Sequence, residues 1–106
     1  MNKAYIFIRT ALDDRMLMEE YKRAMINRVR NLRYDYEGIF SVCGNPKDSI
    51  RSFKELAADG HLDDINILFT CVSGEGGKQI VREIKRYLKL NGMDIKLYLT
   101  DPRVPV

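Results

Sequence analysis

The sequence predicts a single α/β domain in which a four-stranded parallel sheet is covered by helices on both faces. Short apolar runs alternate with longer segments whose apolar residues recur at helical spacing, in the order β-α-β-α-β-α-β. Consecutive parallel strands need crossover connections, which helices of this length supply, so we expect a three-layer sandwich with strand order 2-1-3-4. A chain of 106 residues suffices for one such core.

Four short runs have the composition of buried strands. They are KAYIFIRT (3–10), YEGIFSVC (36–43), DINILFTCV (64–72) and MDIKLYLT (93–100). β-branched and aromatic residues dominate most of these runs, and turn residues flank them. We therefore predict one strand in each segment.

Three helices are predicted between these strands. The second begins after GNPKDS (44–49), where Pro46 and Asp48 are typical start residues, and it ends at Gly60; the third begins after SGEGG (73–77) and ends at Gly92. The apolar faces of the three helices consist of Met18, Tyr21, Met25, Val29 and Leu32; Ile50, Phe53, Leu56 and Ala57; and Ile80, Val81, Ile84, Tyr87 and Leu88.

The composition of the chain excludes few functions. The chain is 45% hydrophobic and 31% charged with a net charge of +3, which permits an anionic partner without requiring one. No apolar run approaches the roughly 20 residues that span a bilayer. We expect a cytoplasmic protein with no membrane association, no cofactor, no metal, reduced cysteines at Cys43 and Cys71, and a surface tail over 101–106.

Two loops are the expected place for a site. Ligands of open parallel sheets bind beyond the carboxyl ends of the strands, where strand order reverses, and this selects the loops after the first and third strands. The first loop carries Arg9 and Thr10, and the second is the glycine-rich segment Ser73–Lys78, which opens a helix. Backbone N–H groups at a helix start favour anions, so the candidate anion-binding residues include Ser73, Gly74, Gly76 and Lys78.

The first loop also carries a family resemblance. The segment IFIRTALDDR (6–15) resembles the IYVRVSTxxQ motif of serine site-specific recombinases, the resolvases and invertases, without a gap. The segments 50–69 and 82–99 are similar to later parts of the same catalytic domain. The resemblance implies a flavodoxin-like fold and a serine nucleophile that attacks a DNA phosphodiester between clamping arginines. Arg9 then matches the first-strand arginine, and Arg51 the arginine that precedes the second helix.

The resemblance also implies that recombinase chemistry is lost. The position of the nucleophilic serine is Ala11, and Val72–Gly76 replaces the family's DRLxR motif. The family continues into a long helix and a helix-turn-helix module, which have no counterpart here, so we expect no choice of DNA sequence. The expected function is a non-catalytic resolvase-like module, encoded on a mobile element, that contacts the DNA phosphate backbone weakly or binds another protein and can form an oligomer.

Two alternatives stay open. A small phosphate-ester hydrolase or phosphotransfer protein would use Thr10 or Ser73 with Asp13 or Asp14, although acids at this position also complement the start of the first helix. A purely structural dimerising domain would need no site. The basic row on the third helix favours a solvated face over a phosphate contact; its members are Lys78, Arg82, Lys85, Arg86 and Lys89.

Overall fold

Four parallel strands and three helices alternate along the chain in a computed structural model that describes residues 2–101. The elements are β1 (Lys3–Thr10), α1 (Arg15–Asn31), β2 (Asp35–Cys43), α2 (Pro46–Ala58), β3 (Ile67–Val72), α3 (Gly77–Leu90) and β4 (Lys96–Leu99). The strand order is β2-β1-β3-β4, which confirms the predicted flavodoxin-like sandwich. Of the expected surface tail only Asp101 is described, and residues 102–106 lie outside the described range.

Strand β1 is the centre of the sheet and is buried from Ala4 to Thr10. Side chains alternate between the two faces of a strand, so successive residues of β1 enter different cores. Tyr5 and Phe7 pack with residues of α2 and α3, whereas Ile6 and Ile8 pack with residues of α1. The same alternation continues to the end of the strand and assigns Arg9 and Thr10 to opposite faces.

The helix ends follow the local capping residues. Gly60 and Gly92 follow α2 and α3 with φ of 87° and 61°, as the sequence predicts for glycine after a helix. Arg33 takes the same left-handed position after α1, with φ of 63°. The predicted start of α2 is wrong: the helix begins at Pro46, because the Asn45 side chain accepts a hydrogen bond from the Asp48 N–H at 2.8 Å.

Two strands are shorter than the sequence predicts. β3 begins at Ile67 rather than at 64, and β4 spans Lys96–Leu99 rather than 93–100. Asp64 has φ of 65°, which no extended strand adopts, and the Ile65 N–H donates to the Leu62 carbonyl in a turn. Ile65 is nevertheless buried, so the apolar run continues through the turn and hides the boundary.

The strand order creates a topological switch point between β1 and β3. The chain leaves β1 toward β2 on one side and returns, through α2, to β3 on the other side. The loops that follow the two strands therefore diverge and open a crevice at the carboxyl edge of the sheet. Among residues 2–101 no helix is long and apolar enough to cross a membrane.

Candidate functional site

A cleft of about 530 Å³ opens at the carboxyl ends of β1 and β3, and we call it the Arg9 cleft. It is lined by Arg9, Ala11, Leu12, Gly44, Asn45, Pro46, Glu75, Gly76 and Gln79. These residues come from the loop after β1, the loop between β2 and α2, and the start of α3. The cleft thus lies at the switch point, where the sequence places the anion site.

The Arg9 side chain ties three segments of the chain together. Its Nε and Nη2 both donate to the carbonyl oxygen of Gly44, with an Nε distance of 3.1 Å. Its Nη1 donates to the carbonyls of Ser73 at 3.1 Å and Glu75 at 2.8 Å. Arginine carries five N–H donors, so four are in use and one Nη2 hydrogen is left over.

The charge of Arg9 is buried without a carboxylate partner. The residue is 1% exposed, and no acidic side chain of residues 2–101 forms an ion pair with it. Burial lowers the pKa of the Arg9 guanidinium below its ordinary value, because an environment with little water disfavours the charged form. Carbonyl oxygens offset part of this cost through their dipoles, and Arg9 lines the cleft without an acidic side chain among residues 2–101 to balance its charge.

Two glycines allow the walls of the Arg9 cleft to approach each other. A β-carbon on Gly74 would lie 2.6 Å from the Ala11 Cβ, so these residues are in direct contact. A β-carbon on Gly76 would lie 2.3 Å from Cγ of Pro46. Gly76 is also the N-cap of α3, with φ of 84° and no side chain to cap the helix. The first N–H groups of α3 consequently have no capping side chain.

A second cleft of about 410 Å³ lies on the opposite face of β1, and we call it the Thr10 cleft. It is lined by Thr10, Asp13, Asp14, Arg15, Met18, Glu19, Lys22, Ser41, Val42 and Cys43. Thr10 is 3% exposed, and its hydroxyl donates to the Leu12 carbonyl at 2.9 Å. Asp14 is the N-cap of α1 and accepts from the Leu17 N–H at 3.1 Å, as expected for an acid at a helix start.

The remaining predicted site residues lie apart from these clefts or enter them through their backbone. Ser73 contributes its carbonyl to Arg9, and its N–H donates to the Arg9 carbonyl at 2.9 Å. Lys78 is exposed in the first turn of α3. Arg51 lies within α2, and not before the second helix as the family resemblance implies. Its side chain is 67% exposed and forms an ion pair with Asp48 at 3.1 Å.

The sequence analysis does not predict that the segment at the start of α2 lines the Arg9 cleft. Gly44, Asn45 and Pro46 form one wall, and Gln79 of α3 forms another. The signal for the first wall is present in the sequence, because Asn-Pro is a typical N-cap and N1 pair that starts a helix at the carboxyl end of a strand. Gln79 has no comparable signal, since only the fold turns this residue toward the cleft.

The chain was compared with models of protein families, with curated proteins and with solved structures, and none of them matches it.

Proposed function

We propose that the domain binds a phosphate group, such as one of the DNA backbone, in the Arg9 cleft and leaves the ester intact. The observation that carries this proposal is the buried Arg9 guanidinium, which has no carboxylate partner among residues 2–101 and lines the cleft. An anion in the cleft would offset this charge, which the surrounding protein shields from water. The Nη2 hydrogen that no carbonyl of residues 2–101 accepts is the guanidinium donor available to such an anion.

The start of α3 supports the same proposal. Gly76 supplies no capping side chain, and among residues 2–101 only the Gly77 N–H of the first turn has a carbonyl acceptor, that of Gly74. The N–H groups of Lys78 and Gln79 and the positive end of the helix dipole are thus available to a ligand. One residue opposes an anion: Glu75 lines the cleft and carries a negative charge. Because Glu75 is exposed and holds Arg9 only through its carbonyl, its carboxylate remains free to turn toward solvent.

The absence of cleavage follows from the side chain at position 11. Ala11 and Arg9 line one cleft, and the Ala11 methyl group has no atom that could attack phosphorus. Thr10 is no substitute in this cleft, since its side chain lines the cleft on the other face of β1. The proposed activity is thus that of a resolvase-like module, related to DNA recombination or to a mobile element, which has kept phosphate binding and lost strand transfer.

Two substitutions that change the charge of the Arg9 cleft in opposite directions test the phosphate site. Gln79→Glu places a negative charge in the first turn of α3, where it stabilises the helix by about 0.5 kcal/mol but repels a bound anion. Glu75→Gln removes the opposing charge. We expect inorganic phosphate and a short DNA duplex, titrated at low salt and followed by NMR, to bind Glu75→Gln more tightly and Gln79→Glu several-fold more weakly than the unaltered protein.

A matched control distinguishes the effect of a charge in the cleft from the effect of the protein's net charge on anion binding. Asn27→Asp on α1 changes the net charge as Gln79→Glu does, but it lies outside the Arg9 cleft. If Asn27→Asp and Gln79→Glu weaken binding equally, the attraction is that of the whole molecule and the site is refuted. If phosphate shifts no resonance of the residues that line the cleft, the proposal fails as well.

A phosphate-ester hydrolase is the second candidate, because Thr10, Asp13 and Asp14 line one cleft. For attack, the Thr10 hydroxyl would have to leave the Leu12 carbonyl and transfer its proton to one of the two carboxylates. Hydrolysis of p-nitrophenyl phosphate tests this candidate. Turnover that does not exceed that of Thr10→Ala and Ser73→Ala would refute it.

A further inference from the structure

A groove runs along the outer surface between α2 and α3, which pack side by side over the same face of the sheet. Two depressions of about 490 and 300 Å³ form it, and they share Lys54 and Glu83. The groove extends from Lys47 and Gln79, at the carboxyl edge of the sheet, to Leu90 at the end of α3. We call it the α2/α3 groove. Gln79 separates it from the Arg9 cleft, and nothing below depends on phosphate binding there.

Positive charge is concentrated on the two helices that form this groove. α2 and α3 together carry eight lysines and arginines against three acids, a net charge of +5, whereas the whole chain carries only +3. Lys47, Arg51 and Lys54 follow one wall at helical spacing, and Arg86 lies at the far end. The rest of the molecule is therefore net negative, and the groove faces solvent as a cationic strip.

Apolar side chains accompany these cations. Ile50 lines the first depression, and Tyr87 and Leu90 line the second. Ile50 and Tyr87 are half-buried against the core, whereas Leu90 is 72% exposed. One exposed leucine is ordinary on a protein surface. A row of apolar side chains along a groove lined by cations is instead typical of a surface that binds a partner.

The combination fits a peptide helix better than a nucleic acid. Glu83 lies in both depressions and opposes phosphates and peptide carboxylates alike, so it does not decide between them. Ile50, Tyr87 and Leu90 do, because the apolar face of a helix would cover them and a phosphate backbone would not. The Tyr87 ring packs against Phe53 at an interplanar angle of 87° with 5.9 Å between centroids, so it is held in the core rather than free to stack on a base. The 14 residues of α3 give a length of about 20 Å, which a helix of about 14 residues would match.

We propose that the α2/α3 groove binds an acidic amphipathic helix of a partner protein. The apolar face of that helix would cover Ile50, Tyr87 and Leu90, as in other complexes in which a helix lies in a groove. Its flanking aspartates and glutamates would meet Lys47, Arg51, Lys54 and Arg86, mainly to set orientation and the rate of encounter.

A designed peptide tests this surface. The probe is a helical peptide of about 14 residues with leucines at i, i+3, i+4 and i+7 and glutamates flanking them, and its control is a scrambled peptide of equal composition. We expect the first peptide, titrated into isotope-labelled protein, to shift the resonances of Ile50, Tyr87 and Leu90. Leu90→Asp and Lys54→Glu should each weaken binding roughly tenfold.

Control variants on the opposite side of the sheet keep the test specific. Leu32→Asp and Arg23→Glu make the same chemical changes on or next to α1 and should leave binding unchanged, because both residues are exposed and lie outside the groove. Equal binding of the scrambled peptide, or no shift of groove residues at millimolar peptide, would overturn the proposal. So would a single-stranded oligonucleotide of equal charge that binds the groove more tightly than the peptide, since the groove would then be a nucleic-acid surface.

Discussion

The two clefts at the carboxyl edge of the sheet flank the same strand and are built in different ways. The residues that line the Arg9 cleft come from three chain segments and include two glycines, and its buried cation is held by three carbonyl groups. The Thr10 cleft is lined by exposed charged side chains of the first turns of α1, with Cys43 at its edge. Alternation along β1 separates Arg9 from Thr10 and so keeps the two sets of groups apart.

The difference shows which kind of chemistry each cleft can support. In the Arg9 cleft the guanidinium is anchored by four hydrogen bonds to carbonyls, so its position is fixed and suits a ligand that adds its own charge. In the Thr10 cleft the side chains are numerous, but the one buried hydroxyl is bonded to a carbonyl and not to a base. These contacts favour the proposed anion binding in the first cleft, and the Thr10 hydroxyl donates to a carbonyl rather than to a base in the part of the chain that the structure describes.

Alkylation of cysteine measures how open the Thr10 cleft is. Cys43 is exposed at this cleft and Cys71 is buried in the core under α1. We expect Cys43 to react with iodoacetamide at least about a thousandfold faster than Cys71, because a buried thiol reacts only when the protein opens. Mass spectrometry of the native protein should show one adduct, and the denatured protein two. Comparable rates at both cysteines would contradict the described burial.

Replacing the two neighbouring residues compares the clefts directly. Arg9→Gln leaves the carbonyls of Gly44, Ser73 and Glu75 without their donor, which should cost about 3 kcal/mol or more of unfolding free energy. Thr10→Val removes only the hydroxyl that donates to Leu12 and should cost about 1 kcal/mol. Urea unfolding measures both values. An Arg9→Gln cost no larger than that of Thr10→Val would mean that the guanidinium does not hold the loops together.

The wall of the Arg9 cleft should be sensitive to a single methyl group. Gly76→Ala adds a β-carbon 2.3 Å from Pro46 at a φ of 84°, so we expect a loss of about 2 kcal/mol or more. Gly92→Ala is the matched control, since its φ of 61° is also left-handed but no atom lies within 4 Å of the added carbon. That substitution should cost about 1 kcal/mol. Equal losses in thermal or urea unfolding would show that Pro46 moves aside freely.

The helix cap beside the Thr10 cleft should have the smallest effect. Asp14→Ala removes the acceptor of the Leu17 N–H and should cost about 1 kcal/mol of unfolding free energy. Asp13→Ala, the exposed neighbour, changes the charge equally and should cost less than half as much. If the two substitutions are equivalent in urea unfolding, the role of this acidic pair is general electrostatics and not capping.

The fold could be predicted from the sequence because the residues that indicate each strand and helix lie within that element or next to it. Ile6, Phe7 and Ile8 form an apolar run that is typical of a strand buried on both faces, and Gly60 and Gly92 end helices through a left-handed backbone conformation. The ends of a strand were harder to predict where a buried residue lies outside the strand. Ile65 is buried in a turn, so the residue type alone extended β3 by three positions.

Only part of the candidate site could be predicted from the sequence. The location of Arg9 and Ala11 in one cleft follows from alternation and strand order, both of which the sequence predicts. The partners of Arg9 do not follow, because backbone carbonyls are present at every residue and leave no trace in the sequence. The family resemblance implies that Arg51 precedes the second helix, whereas the Asn45 cap starts α2 at Pro46. With the helix starting at Pro46, the same arginine lies on an exposed helix surface.

The hydrogen bonds of Arg9 also have a consequence for the dynamics of the loops. One guanidinium holds Gly44, which precedes α2, and Ser73 and Glu75, which precede α3. Displacing either loop breaks bonds that orient the same side chain for the other, so the two loops should open as one cooperative unit rather than independently. In hydrogen exchange the amides of Gly44 and Ser73, which both donate to β1 carbonyls, would then exchange with a shared opening free energy.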